Sequence, residues 1–356
     1  MSLLVVLGVV AVAQVVFVAM LVVFVFLRRD RILRRAARVQ GARARAGTPL
    51  AEWLVGTGSA LRLAEALRTL PGDAALAFAT ELRDLRIPVS MRTSFAAALR
   101  HEPWVVRALT GVDSHRWWNR LDAARALGIV GTVADGRRLR PLLRDPHPAV
   151  RLAATAALAA VDDPDLVELV VGRYPLEPLA VRLYAVNTLR VVWRLAEEPL
   201  QRALASDAPP ASLAAWLNLA ESLDLPSLRL AVTALVAHAD PEVRAPAARA
   251  LRRYPHADSV AAVLGLLDDP QDFVRAAGAQ ALGVLRASEA QPALERGLTD
   301  KAWWVRFRSA LALALMGETG RAALRRARQS PDRFAREMAE VASGLSDGAV
   351  LELADA

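Results

Sequence analysis

The chain has 356 residues, of which 54% are hydrophobic but only 5% aromatic, and it contains no cysteine. Alanine and leucine carry the apolar content, which favours helices over sheets. The missing cysteines exclude disulfide frameworks, thiolate zinc sites and cysteine nucleophiles. The formal net charge is +8, and Lys301 is the only lysine among 45 basic residues. We therefore expect an all-α protein, long enough for one large core or two ordinary domains.

The N-terminal segment, residues 3–27, is an uncharged apolar run interrupted only by Gly8 and Gln14. As a helix it would be roughly 37 Å long, more than the ~30 Å hydrocarbon core of a bilayer. A cleaved signal peptide is disfavoured because such peptides have a basic start and a shorter apolar region. A buried core helix is disfavoured because the run exceeds ordinary helix lengths. The sequence therefore predicts a transmembrane helix over residues 1–27.

A basic segment follows, which we interpret as a juxtamembrane linker over residues 28–50. Between residues 28 and 45 it has eight arginines and a single acid, Asp30, and so carries most of the net charge. The positive-inside rule predicts a single-pass protein of the inner membrane, with its N-terminus outside and the rest of the chain in the cytoplasm. We expect contact with an anionic lipid surface through Arg28, Arg29, Arg31, Arg34, Arg35 and Arg38.

The rest of the chain repeats itself every 31 residues. A Val-Arg pair, followed by small residues and by leucine seven after the arginine, recurs at arginines 151, 182, 244, 275 and 306, and with one change at 120. The doubled interval between 182 and 244 predicts a hidden copy at Leu213. Each copy predicts a short helix, a turn such as Asp145-Pro146 or Asp240-Pro241, and a second helix that carries the arginine.

This pattern predicts a helical lead-in with degenerate repeats over residues 51–110, a repeat array over 111–345 and an acidic tail over 346–356. No strand-like alternation competes along the array. We therefore predict a right-handed α-solenoid of about seven to nine two-helix repeats.

The repeats resemble the HEAT-repeat family in its short bacterial form, the phycobilisome-lyase-like HEAT repeat. The stretches that carry the resemblance are DPHPAVRLAATAALA from Asp145, DPEVRAPAARALR from Asp240, DPQDFVRAAGAQALG from Asp269 and DKAWWVRFRSALALALMG from Asp300. The period of 31 is shorter than the usual HEAT period of about 40–47. The resemblance implies an α-solenoid that serves as a binding scaffold. It does not imply lyase activity, because no residue matches a chromophore site.

The register assigns a role to each repeat position. The residue three after the arginine is small and lets helices approach, and the leucine seven after fills the layer between repeats. In the hidden copy these sizes are exchanged, with Trp216 and Ala220, and Pro209-Pro210 weakens a regular helix start. This exchange predicts a bend in the solenoid, or else neutral drift. We interpret the arginines as structural partners of the nearby aspartates 145, 240, 269 and 300 rather than as an anion-binding column.

Positions two and five after the arginine share one helix face, which we predict to be the inner, partner-binding face of the solenoid. A solvated face is the alternative. The candidates are Asp122, Arg125, Tyr184, Asn187, Asn218, Arg249, Gln280 and Arg308.

Two tryptophan pairs, 117–118 and 303–304, occupy the same repeat positions. We expect one tryptophan of each pair to be buried in the core. The other either packs in the core as well, which is favoured, or is an exposed anchor for a partner, with Trp118 and Trp304 as the candidates.

Catalytic and metal-binding motifs are missing from the sequence. It has no Walker A motif, no GxSxG and no HExxH, and Gly56-Thr57-Gly58 lacks the third glycine of a dinucleotide loop. Carboxylate clusters such as Asp162-Asp163-Asp165 fall at turns, where acids cap helices. We predict a protein that is not an enzyme and that needs no cofactor and no metal.

The favoured function is a membrane-anchored cytoplasmic scaffold or adaptor that binds a protein partner through the solenoid surface. A membrane-bound protein is one option for this partner. A membrane glycosyltransferase is one suggestion, which no motif supports. One alternative is a nucleic-acid-binding solenoid similar to HEAT-like DNA glycosylases, which the near-neutral array disfavours. A lyase-type accessory protein is the other alternative, and it lacks candidate residues.

Overall fold

The computed structural model describes residues 3–83, 85 and 87–355, although some side chains in residues 3–43 and that of residue 355 lie outside the description. The chain forms two compact units, Met1–Val161 and Asp162–Ala356. All regular structure in the described ranges is helical, and no strand occurs there. The predicted all-α class is therefore confirmed.

The described part of the first unit contains eight α-helices, and one buried cluster lies among the first six. Trp53 packs its ring 5.2 Å from that of Phe95, within a buried cluster that also contains Leu63, Leu67 and Leu99. Ser59 begins one helix by accepting a hydrogen bond from the Arg62 N–H, as N-cap serines do. The helices are α1 (Leu3–Val55), α2 (Ala60–Arg68), α3 (Gly72–Arg83), α4 (Val89–Leu99), α5 (Pro103–Leu109), α6 (Trp117–Val130), α7 (Gly136–Leu142) and α8 (Pro148–Val161).

The predicted membrane anchor falls within α1, which continues through the arginine-rich segment to Val55. Among the residues whose placement is described, no helix is both long and apolar enough to cross a bilayer. The prediction of a single-pass inner-membrane protein with a cytoplasmic array is therefore wrong. The side chains of residues 3–13 lie outside the described residues.

The predicted lipid-contacting arginines also fall in α1. Of the six, only Arg29 has a described side chain, and it is exposed. The side chains of the other five lie outside the described residues, namely Arg28, Arg31, Arg34, Arg35 and Arg38.

The second unit is a run of helix pairs followed by one short helix. In every pair but one the second helix carries the repeat arginine, and α12 has Leu213 at that position. Successive second helices pack side by side. The helices are α9 (Pro164–Arg173), α10 (Leu179–Val191), α11 (Trp193–Leu204), α12 (Pro210–Leu223), α13 (Arg229–Leu235), α14 (Pro241–Leu251), α15 (Ala257–Leu264), α16 (Asp272–Val284), α17 (Gln291–Gly297), α18 (Trp303–Leu315), α19 (Gly317–Ala327), α20 (Arg333–Gly344) and α21 (Asp347–Asp355).

The repeat register explains the packing between helices. Every leucine seven after a repeat arginine is fully buried, from Leu127 in α6 to Leu313 in α18. The small residues three after the arginine are buried as well. Small side chains permit close approach: a Cβ added to Gly283 in α16 would lie 2.6 Å from the Cα of Ala312 in α18. The roles assigned to these positions from the sequence are confirmed.

The hidden repeat copy forms a regular helix, α12. Trp216 is buried in it and donates its indole N–H to the Val171 carbonyl of α9 at 2.8 Å. Ala220, in the leucine position, is fully buried too. The large and the small side chain have therefore exchanged places in the core, as predicted. Proline at the first helical position suits a helix start, and α12 begins at Pro210. The expectation that Pro209-Pro210 weakens this start is therefore wrong, while the bend stays a prediction.

Candidate functional site

The repeat arginines join neighbouring repeats through a ladder of arginine–aspartate pairs. In three repeats the guanidinium donates two hydrogen bonds to an aspartate exactly 25 residues later. The same aspartates accept a backbone N–H two residues on, so each one also fixes the following turn. We call Arg120, Arg244 and Arg275 the ladder arginines, and Asp145, Asp269 and Asp300 the ladder aspartates.

Most repeat arginines also hold their own turn. Their Nη1 donates to the carbonyls six and five residues earlier, for example from Arg275 to Asp269 and Pro270, and the same pattern occurs at Arg151, Arg306 and Arg336. The turn at Asp269 is thus bound by Arg244 from one repeat and by Arg275 from the next. The structural role predicted from the sequence agrees with the structure at aspartates 145, 269 and 300, whereas Asp240 accepts the Glu242 N–H as the N-cap of α14.

One junction of the second unit lacks the arginine–aspartate pair. His238 stands 25 residues after Leu213, so both halves of the pair are replaced together there. The Nε of Arg182 is buried without a hydrogen-bond partner among the described residues, and so is that of Arg306. Arg306 instead places its guanidinium 4.4 Å above the ring of Phe334.

An aromatic cluster lies on the surface where α18 begins. Trp303 stacks on Phe307 with ring centres 4.9 Å apart, and Trp304 meets Trp303 edge to face at 4.7 Å. The exposed fractions are 45% for Trp303 and 60% for Trp304. We define the aromatic cluster as Trp303, Trp304 and Phe307.

The tryptophan pair of the first unit is also at the surface. Trp117 stacks on His147 with centres 3.9 Å apart, and the Arg116 guanidinium lies 5.7 Å from the ring of Trp118. All four paired tryptophans are at least 38% exposed. The prediction that one tryptophan of each pair lies in the core is therefore wrong, because these positions begin a helix at the edge of the repeat rather than facing the next one. The exposure of Trp118 and Trp304 agrees with their choice as candidate anchors.

A second polar site lies where the C-terminal helix α21 packs against α16 and α18. The Arg308 Nη1 donates to the Leu353 carbonyl at 2.6 Å, and the Gln280 Nε2 donates to the Ala354 carbonyl, also at 2.6 Å. Arg252 donates to the Ala354 carbonyl at 3.4 Å. These three side chains, Arg252, Gln280 and Arg308, come from three successive repeats, and we call them the seat.

The seat is electrostatically matched to a helix end. The last carbonyls of a helix have no partner within the helix and carry a partial negative charge. Arg252 and Arg308 present positive charge to them, and Arg252 is further held by Glu221 at 2.6 Å. Burial, and to a lesser degree the nearby charge of Arg252, lower the pKa of Arg308. Val350 and Ala354 of α21 are buried, which anchors the helix by its apolar side.

The structure brings together only some of the predicted inner-face residues. Gln280 and Arg308 meet at the seat, and Asn218 lines an open polar hollow of about 580 Å³ that Arg252 also lines. Asp122 pairs with Arg125 on α6 at 3.3 Å. Of the others, Tyr184 and Arg249 are half-buried and Asn187 is exposed.

The sequence analysis missed Arg252 and the docking of α21. Residues 346–356 were expected to form an acidic tail, whereas α21 is a helix seated on its own repeats. The available signal was the pair Val350 and Ala354, which lie four residues apart and therefore share a helix face. Among the described residues, no group of three or more His, Cys, Asp or Glu side chains is arranged to hold a metal ion.

The repeat geometry and the family comparison define the class of the protein. The family model for HEAT repeats matches residues 196–283, 228–314 and 274–344 in overlapping copies. Residues 196–344, somewhat less than half of the chain, are therefore a HEAT-repeat array, and the resemblance seen in the sequence is confirmed for this stretch. A HEAT solenoid is consistent with a protein-interaction scaffold.

Several solved structures are similar to the chain. Human deoxyhypusine hydroxylase in complex with glycerol is 24% identical, with 80% of this chain and 96% of that chain covered and a TM-score of 0.28. An engineered protein is 18% identical over 58% of this chain and 94% of that one, with a TM-score of 0.35. Kap121p bound to Pho4p is 14% identical, with 80% of this chain and 43% of that chain covered and a TM-score of 0.42. No curated protein matches the chain.

Proposed function

We propose that the chain is a non-enzymatic scaffold of the short-repeat HEAT type, which binds a protein partner through the surface of its second unit. The observation that carries this proposal is the aromatic cluster. Large rings are exposed there on rigid helix starts, and tryptophan is enriched among the residues that dominate binding energy at protein interfaces. Side chains already ordered by ring stacking lose less conformational freedom on binding. The partner surface that fits this cluster is an apolar pocket with a polar rim.

Charge supports a protein partner over a nucleic acid. Nucleic-acid affinity depends on many cations that neutralise phosphates. In the described array, however, the ladder arginines are occupied by carboxylates and carbonyls. They therefore offer few free donors to phosphate groups.

The test is quantitative affinity capture by the full-length chain from extracts of its native cells. We expect Trp304→Ala to lower capture of the specific partner by about 30-fold, the loss typical of an interface residue worth 2 kcal/mol. Trp193→Ala is the matched control, since Trp193 is also exposed, at 42%, but lies outside the cluster.

Equal capture by the Trp304 and Trp193 variants would count against the aromatic cluster as the binding surface. Salt-sensitive retention of DNA without any protein partner would support the nucleic-acid alternative instead.

A further inference from the structure

The C-terminal helix covers a surface that is built to hold a helix end. α21 has nine residues and is therefore about 13 Å long. Near its start, Asp347 lies 3.4 Å from Arg321 of α19. Its last turn reaches Gln280 of α16 and Arg252 at the end of α14. The helix thus runs back across earlier repeats.

This path distinguishes α21 from a simple cap on the array. A terminal cap shields the exposed face of the last repeat, which here is formed by α19 and α20. The hydrogen bonds at the end of α21 go instead to side chains one, two and three repeats further back, at residues 308, 280 and 252. Two of these residues, Gln280 and Arg308, were predicted from the sequence to face a partner.

We propose that the seat is a binding site for the C-terminal turn of a partner's α-helix, and that α21 occupies it as an intramolecular competitor. This inference rests on the proposed scaffold function. The partner segment has the chemistry of α21: two small apolar residues four apart on one face, and a last turn whose free carbonyls meet Arg308, Gln280 and Arg252. Each of those side chains donates a hydrogen bond to a backbone carbonyl, and free carbonyls are found at the C-terminal end of a helix, so the seat selects that end rather than the N-terminal end.

The covering helix is small enough to be displaced. Among its described side chains, Val350 and Ala354 are the buried apolar residues of α21, while Leu351 on its other side is 54% exposed. The polar hollow shares Arg252 with the seat, so polar surface continues from the seat toward Asn218.

The experiment uses the full-length chain and a fluorescent synthetic peptide with the sequence of residues 345–356. Val350→Asp places a charge in the apolar contact and releases α21. Because a short tether gives an effective concentration in the millimolar range, we expect the peptide to bind the Val350→Asp chain at least about ten-fold more tightly than the wild type. Adding Arg308→Ala should reverse this gain, whereas adding Arg296→Ala, an exposed arginine at the end of α17, should not.

Hydrogen exchange provides a second measurement that does not depend on peptide affinity. Arg308→Ala in the otherwise wild-type chain should accelerate exchange of the α21 amides, and Arg296→Ala should leave it unchanged. Equal peptide binding by the wild-type and Val350→Asp chains would overturn the proposal, as would equal effects of the Arg308 and Arg296 variants. A dimer whose copies exchange α21 would also overturn it, since the occupant would then be a second copy. Partner capture by the Trp304 variant tests the scaffold function independently of these results.

Discussion

Removal of one ladder aspartate should destabilise the second unit far more than removal of an exposed acid. Asp269 receives two hydrogen bonds from Arg244, at 2.7 and 3.0 Å, and one from the Gln271 N–H at 2.9 Å. Asp269→Ala deletes all three bonds at once. It also leaves the Arg244 Nε and Nη2 without their carboxylate partner.

The size of the effect follows from burial. Side-chain exposure is only 6% for Asp269 and 15% for Arg244, and breaking a buried ion pair costs about 3–5 kcal/mol. Arg244 keeps its bonds to the His238 and Ala239 carbonyls and can regain some water, so we expect about 2–4 kcal/mol. Glu168→Ala is the matched control: its pair with Arg202 has side chains 54% and 56% exposed, so its loss should cost less than about 1 kcal/mol.

The assay is urea unfolding of the full-length variants combined with hydrogen exchange. Repeat arrays do not always unfold in a single step, so exchange in α14 and α16 locates the effect. We expect Asp269→Ala to accelerate exchange in both helices. A destabilisation by Asp269→Ala no larger than that of Glu168→Ala would refute the structural role of the ladder.

Three further results are expected. Burial alone would raise the pKa of each ladder aspartate, but hydrogen bonds from the arginines and from backbone N–H groups outweigh it and lower the pKa. The stabilisation that the ladder aspartates contribute should therefore be complete above about pH 4 and be lost as pH falls through the folded-state pKa. Circular dichroism as a function of pH measures this loss. Gly283→Ala should cost about 1–3 kcal/mol by forcing α16 from α18, whereas Gly265→Ala, with no atom within 4 Å of the added Cβ, should leave the thermal midpoint nearly unchanged. Trp216→Phe should cost about 1–2 kcal/mol through the lost bond to Val171, measured by urea unfolding.

The helical repeats could be predicted from the sequence because local and neighbouring contacts determine them. The 31-residue spacing of Val-Arg and leucine placed each second helix, and even Leu213 marked a real copy. The seat could not be predicted in the same way. Gln280 and Arg308 were chosen for their register, but their partner α21 lies 45 or more residues away, and a nine-residue helix leaves little periodic signal.

The aromatic positions show a different limit of sequence reasoning. Trp303 and Trp304 sit three and two residues before Arg306, where a helix begins and its side chains can point away from the stack. Burial of tryptophan is a general tendency, whereas its direction at a helix start depends on the turn that precedes it. In this repeat the turn is fixed by Arg275 through Asp300.

The 25-residue separation of arginine and aspartate has a consequence for how such an array can change length. Each 31-residue module carries an arginine for the module after it and an acid for the module before it. A duplicated module inserted in register therefore brings both halves of its connections and joins its neighbours without further substitutions. The junction of Leu213 with His238, where both halves are replaced, lacks this self-matching chemistry, so growth of the array by duplication is easiest between Arg244 and Asp300.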